Sequence, residues 1–235
     1  MPDDSSRFFH TRRPRVVATI GSVAGWYLAE KITSSSETGP DLLEIRADLL
    51  LEDSSDFPGD LAQLPLPLIL TVRHPSEGGK PLKNSTERAA IYRRYWDKVF
   101  AIDLELSTAP DFAHLIAEAR ASGISCILSY HNFTETPSLS ELETMTLQTA
   151  QFGADLFKVA TTTHSASQLS TLLSWVESEK NLPLAAMGMG SLGKISRPLL
   201  AQLGSQLNYG YLDKPIVPGQ WPAGELRRVI DSLLV

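Results

Sequence analysis

The sequence predicts a single-domain α/β protein folded as a (β/α)8 barrel, the TIM barrel architecture. Three observations carry that expectation. Eight short apolar runs, many with β-branched residues, recur along the 235 residues. Longer amphipathic stretches with helix-cap signals separate most of them. No short repeat, low-complexity tract or linker divides the chain, so residues 14–235 are assigned to one barrel domain and residues 1–13 to a polar N-terminal tail. An open doubly wound sheet shares this alternation and is the alternative; eight is the strand number that closes a barrel.

The predicted strands are 16–20, 42–47, 68–72, 101–105, 125–130, 156–160, 184–189 and 208–212. Each is short and mostly apolar, as a parallel strand buried on both faces must be. Between them, Asn84-Ser85-Thr86-Glu87 offers an N-cap and an acidic first turn before Ala89-Ala90-Ile91-Tyr92. Pro110 opens and Gly123 closes a helix over 111–121. Ser138 and Ser140 precede a helix over 141–151, and 165–178 and 223–234 are also amphipathic. Pro58, Pro65 and Pro67 interrupt the segment after the second strand, and Pro198 sits near the start of the helix after the seventh.

Composition narrows the function classes. Hydrophobic residues make up 43% of the chain, enough for a core. The net charge is -6 and the cations are dispersed, so no basic stripe points to nucleic acid. No apolar run approaches the ~18 residues of a membrane span, and residues 1–13 lack a hydrophobic leader. The one cysteine, Cys126, lies in an apolar run and reads as a small buried hydrophobe, which fits a reducing cytoplasm. No histidine pair has metal-ligand spacing, so no metal is inferred.

Charged residues interrupt strands that should be apolar. In a strand, residues i and i+2 share a face, so Glu44 and Arg46 are neighbours on one side of the second strand. Such charges inside a barrel must be paired or in use. A structural Glu–Arg pair is one reading; proximity to the C-terminal end, where barrel enzymes place their chemistry, favours the other. Arg73 closes the third strand, and Glu77-Gly78-Gly79 follows in a segment read as a flexible loop. His131 follows the fifth strand, while His10, His74, His114 and His164 read as solvated. Lys158 lies within the sixth strand and shares its face with Leu156 and Ala160. Lysine is rarely buried without reason; desolvation and neighbouring cations would free its amine to attack a carbonyl. Arg197 and Gln220 fall in loops at the same end, suited to a carboxylate or phosphate and to hydroxyl groups respectively. Gly188-Met189-Gly190-Ser191-Leu192-Gly193 matches a dinucleotide-binding pattern, but it lies in the seventh strand–helix unit, and that reading is set aside.

The ordered segments Leu43-Glu44-Ile45-Arg46-Ala47-Asp48, Thr71-Val72-Arg73 with Glu77-Gly78-Gly79, Ser129-Tyr130-His131-Asn132-Phe133, Phe157-Lys158-Val159-Ala160, Met187-Gly188-Met189-Gly190, Ser196-Arg197 and Pro218-Gly219-Gln220 resemble the type I 3-dehydroquinate dehydratases. The resemblance implies a barrel, usually a homodimer, acting on 3-dehydroquinate without metal or organic cofactor in the shikimate pathway. It implies an imine between Lys158 and the substrate ketone, with His131 moving the protons and Glu77 orienting His131. It also implies that Glu44, Arg46 and Arg73 bind ring hydroxyls and Arg197 the carboxylate. Gln220 would help close a lid, and Met189 and Tyr209 would line the pocket. Two departures stand out: Ile216 replaces a small hydroxyl-bearing residue in the last loop, and Tyr209 stands where the family often has Phe. A class I aldolase-like Schiff-base lyase and a non-catalytic binding barrel are the competing functions.

Overall fold

Eight parallel strands curl into one nearly closed sheet: β1 (Arg15–Ile20), β2 (Leu42–Arg46), β3 (Leu68–Thr71), β4 (Ala101–Glu105), β5 (Ser125–Asn132), β6 (Leu156–Thr162), β7 (Leu184–Met189) and β8 (Leu207–Tyr211). The computed structural model describes residues 9, 13–32, 39–81 and 84–234. The ladder runs β7-β6-β5-β4-β3-β2-β1-β8. Around it lie α1 (Val23–Ala29), α2 (Ala47–Leu50), α3 (Ser85–Arg94), α4 (Ala113–Ala121), α5 (Leu139–Gln151), α6 (Ala166–Ser178), α7 (Gly193–Leu203) and α8 (Ala223–Leu233). None of the described helices is long and apolar enough to cross a membrane.

The period of two along each strand sorts side chains between two apolar layers. Val16, Leu43, Leu70, Ile102, Leu128 and Phe157 point outward and pack beneath the helices. Val17, Leu42, Ile69, Ala101, Ile127 and Leu156 point inward and fill the lower barrel. Capping boxes start α3 (Asn84 with Glu87) and α5 (Ser138 with Glu141), and Gly204 ends α7 in a left-handed conformation at φ 117°.

Several bounds differ from the expectation for physical reasons. β5 and β6 run further because their ladder continues through His131↔Ala160 and Asn132↔Thr161, beyond the apolar run. His131 is therefore a strand residue. β2 stops at Arg46 because Ala47 already begins α2. After β2 the prolines leave only α2 and one 3-10 turn, Leu61–Gln63. α4 begins at Ala113 rather than at residue 111. Of the predicted polar tail, Phe9 is buried among the inward-facing residues, its ring edge-on to Phe100 at 5.8 Å. Residues 1–8 and 10–12, His10 included, lie outside the described residues.

The seam between β7 and β8 carries no backbone ladder among the described residues. Other groups stitch it. Gln206 N donates to Leu184 O at 2.7 Å, and Ala186 N donates to Ser205 Oγ at 3.0 Å. Arg197, from α7, donates through Nη1 to Gly188 O of β7 at 3.0 Å and through Nε to Tyr209 O of β8 at 3.0 Å.

Candidate active site

All ten predicted site residues line one cavity at the C-terminal end of the barrel: Glu44, Arg46, Arg73, Glu77, His131, Lys158, Met189, Arg197, Tyr209 and Gln220. The strand register explains their convergence. Glu44 on β2, Asp103 on β4 and Lys158 on β6 stand one layer above the apolar inner residues, all facing the axis.

Lys158 is 3% exposed. Its Nζ lies 2.8 Å from Asp103 Oδ2 and 3.1 Å from Glu44 Oε1, with the Tyr209 ring centroid at 3.9 Å. The expectation of neighbouring cations is corrected here: the groups touching the amine are two carboxylates, and Arg73 reaches it only through Asp103. Glu44 also accepts from Thr19 Oγ1 (2.9 Å) and Thr71 Oγ1 (3.0 Å). Burial works against both carboxylates. Arg73 and Lys158 nevertheless hold Asp103 at about 2, and Lys158, with Arg46 and Arg73, holds Glu44 below its ordinary range.

Arg73 is firmly oriented. Nη1 donates to Glu105 (2.8 Å) and Ser129 Oγ (2.7 Å), and Nη2 to Asp103 (2.9 Å). Arg46 forms a two-pronged pair with Asp48 at 2.8 and 2.7 Å, and Asp48 also accepts from Arg73 N at 3.3 Å.

Glu77 is not in a flexible loop. It ends the 3-10 turn Pro75–Glu77 and is 6% exposed. The turn forms because His74 caps it and Gly78 leaves it at φ 83°. Glu77 Oε2 accepts from His131 N at 3.0 Å and meets Nδ1 at 2.9 Å, while Oε1 accepts from Ser107 Oγ at 3.1 Å. Burial, reinforced by Glu105, pushes the Glu77 carboxyl up to about 7, against the opposing pull of Arg73, Ser107 and the His131 N–H. Burial, then the cations Arg73, Lys158 and Arg46, lowers His131 well below its ordinary value, so its imidazole is neutral near pH 7.

Arg197 is 1% exposed, and beyond the seam contacts its Nη1 donates to Gly193 O (2.6 Å) and Gly219 O (2.7 Å). Burial lowers its guanidinium to about 10. Only Nη2 is without a hydrogen bond among the described residues. Gln220 Oε1 accepts from Ile216 N at 2.9 Å and closes the last loop on itself. The glycine run after β7 has a packing use: Gly219, at φ 81°, lies so close that an added Cβ would come within 2.5 Å of Gly190 O. The Tyr209 hydroxyl is buried without a partner among the described residues. His114 and His164 are exposed as expected, whereas His74 is partly buried at its turn.

Sequence reasoning missed Asp103, Glu105, Asp48, Ser129 and Ser107. Asp103-Leu104-Glu105 carries the same i, i+2 pattern that singled out Glu44 and Arg46, so that signal was present. Ser107 carries none, because a buried hydroxyl is common in turns, whereas Asp48 and Ser129 lie within the segments that carry the resemblance.

A sequence profile described as type I 3-dehydroquinase matches residues 27–234. The chain belongs to the type I 3-dehydroquinase family. The 3-dehydroquinate dehydratase of Methanothrix thermoacetophila is 35% identical over 229 residues, covering 94% of this chain and 93% of that protein. The bifunctional 3-dehydroquinate dehydratase/shikimate dehydrogenase of Arabidopsis thaliana is 32% identical over 193 residues, 80% of this chain and 32% of that longer protein. The crystal structure of 3-dehydroquinate dehydratase from Geobacillus kaustophilus HTA426 superposes with a TM-score of 0.84 at 26% identity, covering 94% of this chain and 91% of that one.

Proposed function

We propose that this chain is a hydro-lyase that converts 3-dehydroquinate to 3-dehydroshikimate and water through an imine on Lys158. The observation that carries the reading is a buried amine and a carboxylate-bound imidazole facing one polar cavity. The Lys158 ammonium first gives a proton to the neutral His131 imidazole, the freed amine attacks the C3 ketone, and that proton then leaves with the carbinolamine oxygen as water, so that an iminium remains. Asp103 and Glu44 then serve a purpose that neighbouring cations could not: they stabilise the positive iminium, the electron sink for the next step. His131 takes the C2 proton, and the electron pair enters the enamine. His131 returns the proton to the C1 hydroxyl, which departs as water. Hydrolysis of the product imine consumes the water released when the imine formed, so the net loss is the C1 hydroxyl and the C2 proton.

Arg46 and Arg73 are suited to ring hydroxyls, and Arg197 offers Nη2 to the substrate carboxylate. Met189 and Tyr209 wall the cavity, and Gln220 holds the loop that covers it. The chain is further proposed to work as a homodimer in the cytoplasm, on a small molecule rather than nucleic acid. Exposed Ile195, Leu199 and Leu203 aligned along α7, the buried free thiol of Cys126 and the acidic net charge support those points. A continuous absorbance assay tests the activity: 3-dehydroquinate should yield the conjugated enone of the product, and its absence would overturn the reading.

The Glu77–His131 pair sets a pH dependence. With Glu77 ionised, Nδ1–H donates to it and Nε2 keeps a lone pair for the C2 proton. With Glu77 protonated, its hydroxyl donates to Nδ1, Nε2 carries the hydrogen, and the base is lost. Thus kcat/KM should climb as pH rises through about 7, a limb absent from Glu77→Gln. Stability runs the other way. A carboxyl raised from 4.5 to about 7 contributes stability that is complete below 4.5 and lost as pH rises through 7. Glu77→Gln escapes that loss, up to about 3 kcal/mol. Melting curves near pH 5 and about pH 8.5 check the sign: the variant's advantage should appear only at the higher pH.

A further inference from the structure

Behind the cavity wall lies a fully buried arginine that the reaction scheme does not use. Arg88 on α3 is 2% exposed and absent from the cavity lining. Its Nη2 donates to Val72 O at 2.8 Å and to Glu105 Oε2, and its guanidinium lies over the Phe112 ring at 4.9 Å. Glu105, at the end of β4, is 0% exposed. Its Oε1 accepts from Arg73 Nη1 at 2.8 Å and from His74 N at 2.9 Å, and Thr108 Oγ1 adds a donor to Oε2 at 3.3 Å. One carboxylate thus grips both the Arg73 guanidinium and the backbone of His74, the cap of the turn that presents Glu77. The adjoining turn, Leu106–Thr108, supplies the Ser107 hydroxyl to Glu77 itself.

We propose that Arg88 and Glu105 are positioning residues that jointly place Arg73 and the Glu77–His131 pair and set the field in which that pair exchanges its proton. Arg88 Nε and Nη2 both anchor on Val72 O, and a cation so fixed behind a buried carboxylate holds its orientation and offsets its charge. The groups acting on the Glu77 carboxyl from the surrounding elements are Arg73 just after β3, Glu105 of β4, Ser107 of the following turn and His131 of β5. Lys158 of β6 and Arg46 of β2 act on His131 from across the cavity. His74 neighbours Glu77 within the turn. Glu105 is the one carboxylate among those acting on Glu77, and Arg88 is paired with it. Losing either partner breaks the same ion pair yet moves the local field in opposite directions.

That opposition supplies the test. In the full chain labelled with 13C at glutamate carboxyls, the Glu77 signal is assigned by its disappearance in Glu77→Gln and titrated with pH. Glu105→Gln, which keeps size and an accepting oxygen, should lower the Glu77 midpoint by roughly one pH unit. Arg88→Met, which uncovers the Glu105 charge, should raise it by a similar amount, and Arg88→Lys should bring it back toward the parent. Midpoints that stay put, or that move the same way in Glu105→Gln and Arg88→Met, overturn the inference in favour of a purely structural pair. Should Arg88→Met fail to fold, Glu105→Gln alone decides: a midpoint at or above the parent's sinks it. The bearing on turnover rests on the dehydratase reading, but the titration needs no turnover. A parent without activity would defeat that reading and leave the midpoints to judge this one.

Discussion

Lys158→Ala should lose turnover by more than roughly 10⁴-fold, the scale on which removing a covalent route outweighs what positioning alone retains. The expectation rests on placement. Lys158 is the one lysine lining the described cavity, it is 3% exposed, and its nitrogen faces the axis through ion pairs with β2 and β4. Borohydride added with 3-dehydroquinate or its product should leave one reduced adduct on the parent, mapped to Lys158 by mass spectrometry. The Ala variant should take up none. An active parent whose Lys158 stays unmodified would eliminate the imine and return the amine to a structural role beside Asp103 and Glu44.

His131→Ala carries the second large effect, a fall in kcat of about 10²–10⁴-fold, the range for loss of a positioned general acid–base. It should separate from the first in kind. Imine formation needs the amine and a fitting cavity, so borohydride should still trap substrate on Lys158 in His131→Ala, while exchange of the C2 proton with solvent should slow with kcat. Equal loss of trapping and turnover would mean that His131 shapes the cavity rather than moving protons. The geometry favours proton transfer. Glu77 takes both the backbone N–H and Nδ1 of this residue, which directs Nε2 away from the turn and fixes the ring on an otherwise rigid strand.

Much of this arrangement was legible because a parallel barrel imposes a simple rule: residues inside it should be apolar. Lys158 between Phe157 and Val159, and Glu44 beside Ile45, violate that rule within a few residues of a strand's end. The same violation at Asp103 and Glu105 passed unnoticed, although these carboxylates hold the amine and Arg73. His131 was placed just beyond its strand because polarity ended the apolar run, whereas the β5–β6 ladder follows backbone pairing and ignores it. The burial of Glu77 was hidden for another reason. Gly78-Gly79 suggests mobility when read locally, yet the turn is held by Glu105, Ser107 and His131, partners about 30 to 54 positions away. Contacts of that span arise because β3, β4 and β5 lie side by side in the sheet, and no window along the chain contains them.

The stitched boundary between β7 and β8 has a dynamic consequence. Where other neighbouring strands are zipped by regular amide pairing, this one depends on Ser205, Gln206 and a single guanidinium, so the wall's first breathing motions should start there. Amide hydrogen exchange ought to run faster along the facing edges of β7 and β8 than between β5 and β6. Because Arg197 holds both edges and also lines the cavity, an anion docked on it would act as a bolt. Protection at that boundary should then rise on ligand binding even for amides that the ligand never touches.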